Sequence, residues 1–502
     1  MAFNISQISK TQSRILKYIG FGLLLYFALF YKLGSNPIEI WDESLFSLRA
    51  LHLYETGSYL VNFNNYIDLP DHRNTKLPFT TFFQVLGYKL FGVNELGLRL
   101  PVVSIFVLTI LYMVRHYRAT YFSENGGLLF GLILITSTGL FGPHMARSGD
   151  QDIAFSCYLL LSTVFFGDYL TLGKTKSLLC FTIAFIAAIM TKNLLAGLIF
   201  PGVLMYTLLS KNLVKCLKDY RIYLSILCIA AVYGGSLWYL EWKYSGFISR
   251  MWGYELMGRY NTTIENHSGS AIYYFDELKT KFSPYYFLLF ISVAISFHRE
   301  VSSTIKQRLW LTSSVFLSYI FIISLSETKT FWYLAPCYLL GAYIVSLGYL
   351  GIQEVVTIKK NKEVSLALAI GVAIVFLQLY IKTVSSNTHP SRTLQKSEKY
   401  GLFIDQILRN KEQSKSFTLI DNNFGSAAFF YKKKNEYKNT DITITYQRST
   451  DVEVGTNVVT CLQNVLNPLR NKYEYEVMNQ WSDCKFLKIT SIKSYELNQT
   501  QD

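Results

Sequence analysis

Apolar stretches approaching the roughly 20 residues that cross a bilayer recur along this chain from Arg14 to Lys382. No other feature limits the fold so much. Spans are expected near 15–33, 97–114, 127–143, 152–170, 178–190, 194–210, 222–240, 284–297, 309–325, 331–350 and 364–382, a mostly α, polytopic membrane protein of about eleven spanning helices. Composition agrees: 51% of residues are hydrophobic and only 16% charged, against about 25% charged in soluble domains. The first stretch, Ile15 to Leu33, reads as an anchor that stays rather than a cleaved signal peptide.

Charge sets the orientation. The net charge of +14 is spread over short loops between apolar segments rather than along one stripe, so no nucleic-acid partner is expected. The pair 178–190 and 194–210 is short and joined by Thr191-Lys192-Asn193. Merging it into one span would put Lys211 to Arg221 on the opposite side from Lys174 and Lys176. Kept as two spans with the N-terminus inside, every inner loop is basic, as the positive-inside rule asks. The outer side then receives 34–96, 144–151, 242–283 and the tail from Thr383. Within the first of these, Ser44 to Glu55 and Phe79 to Phe91 read as amphipathic helices lying in the interface.

Residues 1–382 thus form the membrane domain and 383–502 a small extracytoplasmic α/β domain. Its expected elements are a helical stretch Ser397 to Leu408 and β-rich runs at Phe417–Ile420, Ala427–Tyr431 and Asp441–Tyr446. The seven cysteines show no metal-binding spacing. A disulfide between Cys461 and Cys484, the two in the tail, requires that the tail lie outside the cytoplasm.

The remaining polar chemistry falls on the outer segments. Trp41-Asp42-Glu43 opens an interfacial helix; taken alone it reads first as an N-cap with an acidic first turn, and second as a carboxylate held at the membrane surface as a general base. Ala146-Arg147-Ser148-Gly149-Asp150-Gln151-Asp152 lies where the third span ends and the fourth begins. Capping accounts for Asp152 alone, but not for a second acidic surface and an arginine on the same side as Asp42. Lys76, in Asn74-Thr75-Lys76-Leu77-Pro78, is either a snorkelling lysine or a cation for phosphate. Lys329 offers a second such cation, and the loop from Gly253 to His267 adds Glu255, Arg259 and His267, the histidine reading by itself as an ordinary loop residue. An outer-face enzyme has no access to cytoplasmic nucleotide sugars, so a sugar must arrive on a polyprenyl phosphate. Displacing that phosphate needs a base for the acceptor hydroxyl and cations for the leaving group.

The order of motifs from Ile38 to Val345 resembles the GT-C membrane glycosyltransferases, in the branch holding the bacterial aminoarabinose lipid A transferases and the protein O-mannosyltransferases. The motifs are Trp41-Asp42-Glu43, Lys76-x-Pro78, Leu90-Phe-Gly-Val-Asn-Glu-Leu-Gly-Leu-Arg-Leu-Pro101, Ala146-Arg147 with Asp152, Thr191-Lys192, Gly258-Arg259-Tyr260 to His267, and Lys329 to Pro336. The resemblance implies a GT-C fold and an inverting glycosyltransferase of a bacterial cytoplasmic membrane. It implies Asp42 as base, with Asp152 assisting or orienting the acceptor, and Lys76, Arg259, Lys329 and Tyr333 on the donor phosphate. Glu43, Arg147, Asp150 and His267 would support the site or the acceptor. The expected partners are a polyprenyl-phosphate-linked sugar, a lipid, protein or glycan acceptor, and the bilayer.

One departure bears on metals. In the aminoarabinose transferases a glutamate commonly precedes the motif lysine and shares a metal with the loop histidine; Thr75 stands there in this chain, and a hydroxyl is a poor ligand beside a carboxylate. No metal or other cofactor is therefore assigned. Two other readings compete: a lipid or glycan transporter or flippase, which would bury charges near the bilayer midplane or show inverted repeats, and a non-catalytic envelope scaffold, which would tolerate loss of Asp42 and Lys76.

Overall fold

The computed structural model describes residues 10–39, 42–58, 75–263, 267–356, 373–385, 396–409, 416–422, 425–438 and 441–493. Helices dominate, most of them apolar. They are α1 (Lys10–Leu25, prolonged by a π-helical turn Tyr26–Phe30), α2 (Asp42–Thr56), α3 (Phe79–Phe91), α4 (Glu95–Tyr121), α5 (Glu124–Thr136), α6 (Asp152–Leu172), α7 (Thr175–Lys192), α8 (Phe200–Leu209) and α9 (Tyr220–Lys243). Then come α10 (Tyr273–Lys281), α11 (Tyr285–Ile295), α12 (Ser303–Ser324), α13 (Ala335–Val356) and α14 (Ala373–Ser385). Among the described residues, six helical stretches are long and apolar enough to cross a membrane, with shorter apolar helices at α5, α11 and α14. The protein is a multi-pass membrane protein. The expected span at 364–382 falls partly outside the described residues, which resume at 373.

The doubtful pair is a re-entry, not one rod. Lys192, ending α7, meets Asp152 at the start of α6, whereas Asp219 accepts from Tyr169 near the far end of α6 at 2.5 Å. Arg221 donates to Thr175, where α7 begins, at 2.8 Å. Between Lys192 and Asp219 the chain therefore travels back along the length of α6, turning through the 3-10 segment Asn193–Ile199. Helix α8 packs on α12, where Gly202 lies against Ser314 so closely that a Cβ would fall 2.4 Å from its carbonyl oxygen.

Helix α3 is amphipathic in the inverted sense. Its buried residues are Thr80, Thr81, Gln84, Gly87 and Tyr88, while Phe82, Phe83, Leu86, Leu90 and Phe91 face outward. A polar face against protein and an aromatic face outward suit a helix solvated by lipid at a membrane interface. The motif Leu90 to Pro101 is the turn out of this helix. Gly92 takes a left-handed φ of 82° at the C-cap, and Asn94 caps α4 by accepting from the Gly97 N–H at 2.8 Å. Gly87 and Gly97 let the two helices touch, since a Cβ on Gly87 would sit 2.0 Å from the Gly97 oxygen.

The tail carries α15 (Lys396–Arg409), β1 (Ser416–Ile420), α16 (Ser426–Lys438), β2 (Thr443–Gln447), β3 (Asn457–Thr460), α17 (Gln463–Lys472), β4 (Tyr473–Trp481) and β5 (Cys484–Ile492). The sheet order is β2-β1-β3-β5-β4, parallel across β2-β1-β3 and antiparallel beyond. Strand β1 is interior, between β2 and β3, and nearly all buried, the run Phe417-Thr-Leu-Ile that a two-sided parallel strand needs. The run Ala427–Tyr431, expected as β, is helical. Its aromatic residues suit either state, but the helix runs on through Lys432-Lys433-Lys434, with Ser426 to Tyr431 buried and the lysines half-buried. Cys461 and Cys484 are joined by a disulfide beside the β3–β5 pairing.

This sheet does not hang free. Ser426 and Ser44 share a hydrogen bond of 2.6 Å, the Ile38 N–H donates to the Tyr431 hydroxyl at 2.7 Å, and Lys434 pairs with Glu95 at 2.8 Å. Ile38, Leu48, Leu51, Tyr88 and Leu98 belong to the same apolar core as the sheet, so α2 is clamped between the tail and α3.

Candidate active site

The site lies at the end of the helical bundle where α2 and α6 begin and α7 ends. Asp42 is the first helical residue of α2, and its side chain is about one-third exposed (35%). Glu43 beside it is fully buried. Its oxygens accept from Arg99 Nε and Nη2 at 2.7 and 2.9 Å, from the Gly149 N–H at 2.7 Å and from the Glu39 N–H at 2.7 Å. A bidentate arginine and two amides satisfy a carboxylate taken out of water. Glu43 is thus the tie that fixes α2 to α4 and to the 144–151 segment, leaving Asp42 the exposed member of the pair.

That segment holds the second group. His144 Nδ1 lies 2.7 Å from Asp150 and 4.0 Å from Asp42. Burial works against a charged imidazole, yet the hydrogen bond to Asp150 and the carboxylates of Asp150, Asp42 and Glu39 push His144 up to about 10. Burial likewise opposes Asp150, and the imidazolium overcomes it, holding the carboxyl at about 2. Asp42, His144 and Asp150 present one ligand atom each within 4.8 Å of one another. A divalent cation there would have to displace the His144–Asp150 contact.

Asp152 is the first helical residue of α6, behind the N-cap Gln151, and its Oδ2 takes Lys192 Nζ at 2.5 Å. Lys192 lies over the Tyr333 ring, 5.7 Å from its centroid, and the Tyr333 hydroxyl accepts from Arg259 Nη1 at 2.8 Å. Arg259 follows the π-helical segment Trp252–Gly258, which carries Glu255. Glu255 closes the ring, with Oε2 at 2.6 Å from Lys76 and 3.8 Å from Arg259, and Oε1 accepting from Thr75 at 2.6 Å. Burial would raise Glu255, but Lys76 and Arg259 bring it down to about 2. Burial lowers the Lys76 ammonium against the pull of Glu255. Asp42 lies close enough to favour the charged forms of both Lys76 and Arg259.

Lys76, Lys192, Glu255, Arg259 and Tyr333 line a cavity of about 400 Å³ together with Leu194, Leu195, Leu198, Ile322 and Ile323. One space therefore offers three cations and an aliphatic wall.

Three expected site residues are elsewhere. The Lys329 ammonium donates to the carbonyls of Ser324 and Ser326, closing the C-terminal end of α12, where unpaired carbonyls attract a cation. Arg147 donates to the carbonyls of Ala28 and Tyr31 at 3.0 and 2.7 Å, pinning the outgoing end of the first helix. His267 packs edge-on against Trp332, whose ring lies 5.8 Å from His267 and 4.3 Å from His144. Thr75 donates its hydroxyl to Glu255 at 2.6 Å. Site members not singled out from sequence are His144, Lys192, Arg99 and Trp332. Of these, Lys192, Arg99 and Trp332 lie inside recognised motifs.

A model of the dolichyl-phosphate-mannose-protein mannosyltransferase family matches residues 74–238. An uncharacterized protein of Aquifex aeolicus (strain VF5) is 28% identical over 365 residues, 72% of this chain and 68% of that protein. Among solved structures, ArnT from Cupriavidus metallidurans bound to undecaprenyl phosphate is similar with a TM-score of 0.69 and 13% identity, over 96% of this chain and 98% of that one. The archaeal oligosaccharyltransferase AglB from Archaeoglobus fulgidus, in complex with an inhibitory peptide and a dolichol-phosphate, is similar with a TM-score of 0.51 and 10% identity, over 84% and 64%. The fold is that of the GT-C glycosyltransferases, ArnT-like, with a small sheet domain at the C-terminal end.

Proposed function

We propose that this protein transfers a sugar from a polyprenyl-phosphate donor to an acceptor hydroxyl on the outer face of a bacterial cytoplasmic membrane, with inversion at the anomeric carbon. The observation that carries the reading is the mixed cavity: Lys76, Arg259 and Lys192 share it with Leu194, Leu195, Leu198, Ile322 and Ile323. A phosphate on a long isoprenoid requires that combination. The match to a mannosyltransferase family model and the lipid phosphates bound by ArnT and AglB support it.

In the proposed step, Asp42 takes the proton of the acceptor hydroxyl as its oxygen bonds to the anomeric carbon. The carbon–oxygen bond to phosphate breaks, and the electron pair leaves with the polyprenyl phosphate. Lys76 and Arg259 neutralise the charge growing there, with Tyr333 holding Arg259 in place. Asp152 holds Lys192 at the cavity through their 2.5 Å contact. Glu43, bound to Arg99, sets the angle at which α2 presents Asp42. The disulfide in the tail and the basic inner loops support the orientation.

The test is transfer from a labelled polyprenyl-phosphate sugar to envelope lipids, glycans and proteins by the purified protein. Asp42→Asn should abolish it while the protein remains folded. Unchanged turnover would remove Asp42 from the reaction.

A further inference from the structure

The carboxylate of Glu255 sits where a phosphate would. Lys76 Nζ at 2.6 Å, Arg259 Nε at 3.8 Å and the Thr75 hydroxyl at 2.6 Å converge on its two oxygens. Two cations and a hydroxyl donor around paired oxygens is also how a phosphate is held. The residue lines the cavity with those cations, so the two anions cannot occupy the same place. We infer that Glu255 is a displaceable counter-ion: a lipid phosphate binds by taking its place at Lys76 and Arg259, and its return drives off the polyprenyl phosphate left after transfer. This rests on the donor-site reading above.

Three features make the exchange workable. Arg259 is also held by the Tyr333 hydroxyl at 2.8 Å, so it keeps its position when Glu255 swings out. Glu255 stands on a π-helical segment, a geometry whose widened turn recurs at functional sites. The charges also fit the order of events. The donor is a phosphodiester with one negative charge, whereas the product is a monoester carrying nearly two. Bare cations would retain that product, and a competing carboxylate built into the loop shortens its stay. Affinity falls by the fraction of time the cations are uncovered, so a carboxylate in place about nine-tenths of the time weakens binding about tenfold.

The experiment uses the full chain in lipid nanodiscs, titrated with undecaprenyl phosphate and, as the uncharged control, undecaprenol. Glu255→Gln should bind the phosphate about tenfold tighter with undecaprenol unchanged, and in the transfer assay should show stronger inhibition by added undecaprenyl phosphate. Thr75→Val, which loosens the carboxylate without altering charge, should move affinity in the same direction by a smaller factor. Lys76→Gln should weaken binding. Equal or weaker binding by folded Glu255→Gln and Thr75→Val, with Lys76→Gln still weakened, overturns the counter-ion role and leaves the donor site standing. A wild-type protein that does not prefer undecaprenyl phosphate to undecaprenol overturns the donor site itself.

Discussion

Helix α6 carries a buried carboxylate near each end, and the two are put to different uses. Asp152 and Asp168 are separated by roughly 24 Å of helix. At the far end from the cavity, Arg308 of α12 donates to Asp168 at 2.5 Å, to the Thr171 hydroxyl at 2.7 Å and to the Val164 carbonyl at 3.0 Å, while His116 of α4 lies 3.3 Å from Asp168. Arg308 is 1% exposed, and a Cβ on Gly167 would fall 2.0 Å from its guanidinium, so the cluster is packed shut. At the other end Asp152 pairs with Lys192, which lines a cavity together with Lys76, Arg259 and Glu255, and Asp42 is partly exposed. Buried charge in a membrane helix marks function only where something can reach it; where nothing can, it fastens helices.

The contrast can be broken in order of effect. Asp42→Asn should lower turnover by about 10²–10⁴, the usual contribution of a positioned base, with thermal unfolding unchanged; loss of folding instead would make Asp42 a tie like Asp168. Arg308→Met should do the reverse, costing about 3–5 kcal/mol of stability by leaving Asp168 and its neighbours unpaired. The surviving folded fraction should keep its donor KM in a transfer assay. Lys76→Ala should raise the donor KM by about 10- to 100-fold, the worth of a charged hydrogen bond; a change in melting temperature alone would return Lys76 to the snorkelling role.

The smallest effect concerns pH. His144, raised to about 10, contributes stability that is complete below its ordinary pKa of about 6.5 and is lost as pH climbs towards 10. Asp150, held at about 2, contributes stability present above about 4 and lost as pH falls towards 2. The melting temperature of the wild type should therefore decline between pH 6.5 and 10, and His144→Gln should flatten that decline. An unaltered slope would mean the pair is not charged.

Much of this was legible in the chain. Helix α3 was expected at Phe79 to Phe91 and occupies those residues, because its outward aromatic stripe is written at helical spacing. Asp42 and Lys76 stood out because a charge beside an apolar run is conspicuous. Ala427–Tyr431 was misread because aromatic residues next to alanine fit a strand or a helix, and burial by the neighbouring sheet decided for helix. Lys329 reads from sequence as a donor-phosphate cation and Arg147 as a support of the site or the acceptor, since a sequence shows that a charge is present but not what it faces. Both are spent on the carbonyls of helix ends.

The sequence by itself determined the multi-pass helical architecture and the gathering of polar residues into a few segments. Those properties depend on local hydropathy and loop charge, which need no knowledge of neighbours in space. Only the tertiary structure decided the partners: Glu43 with Arg99, Asp152 with Lys192, Asp168 with Arg308, and Glu255 with Lys76. These pairs join residues 40 to 179 positions apart. Which charge meets which is set by how helices pack against one another, a long-range property that no periodicity encodes.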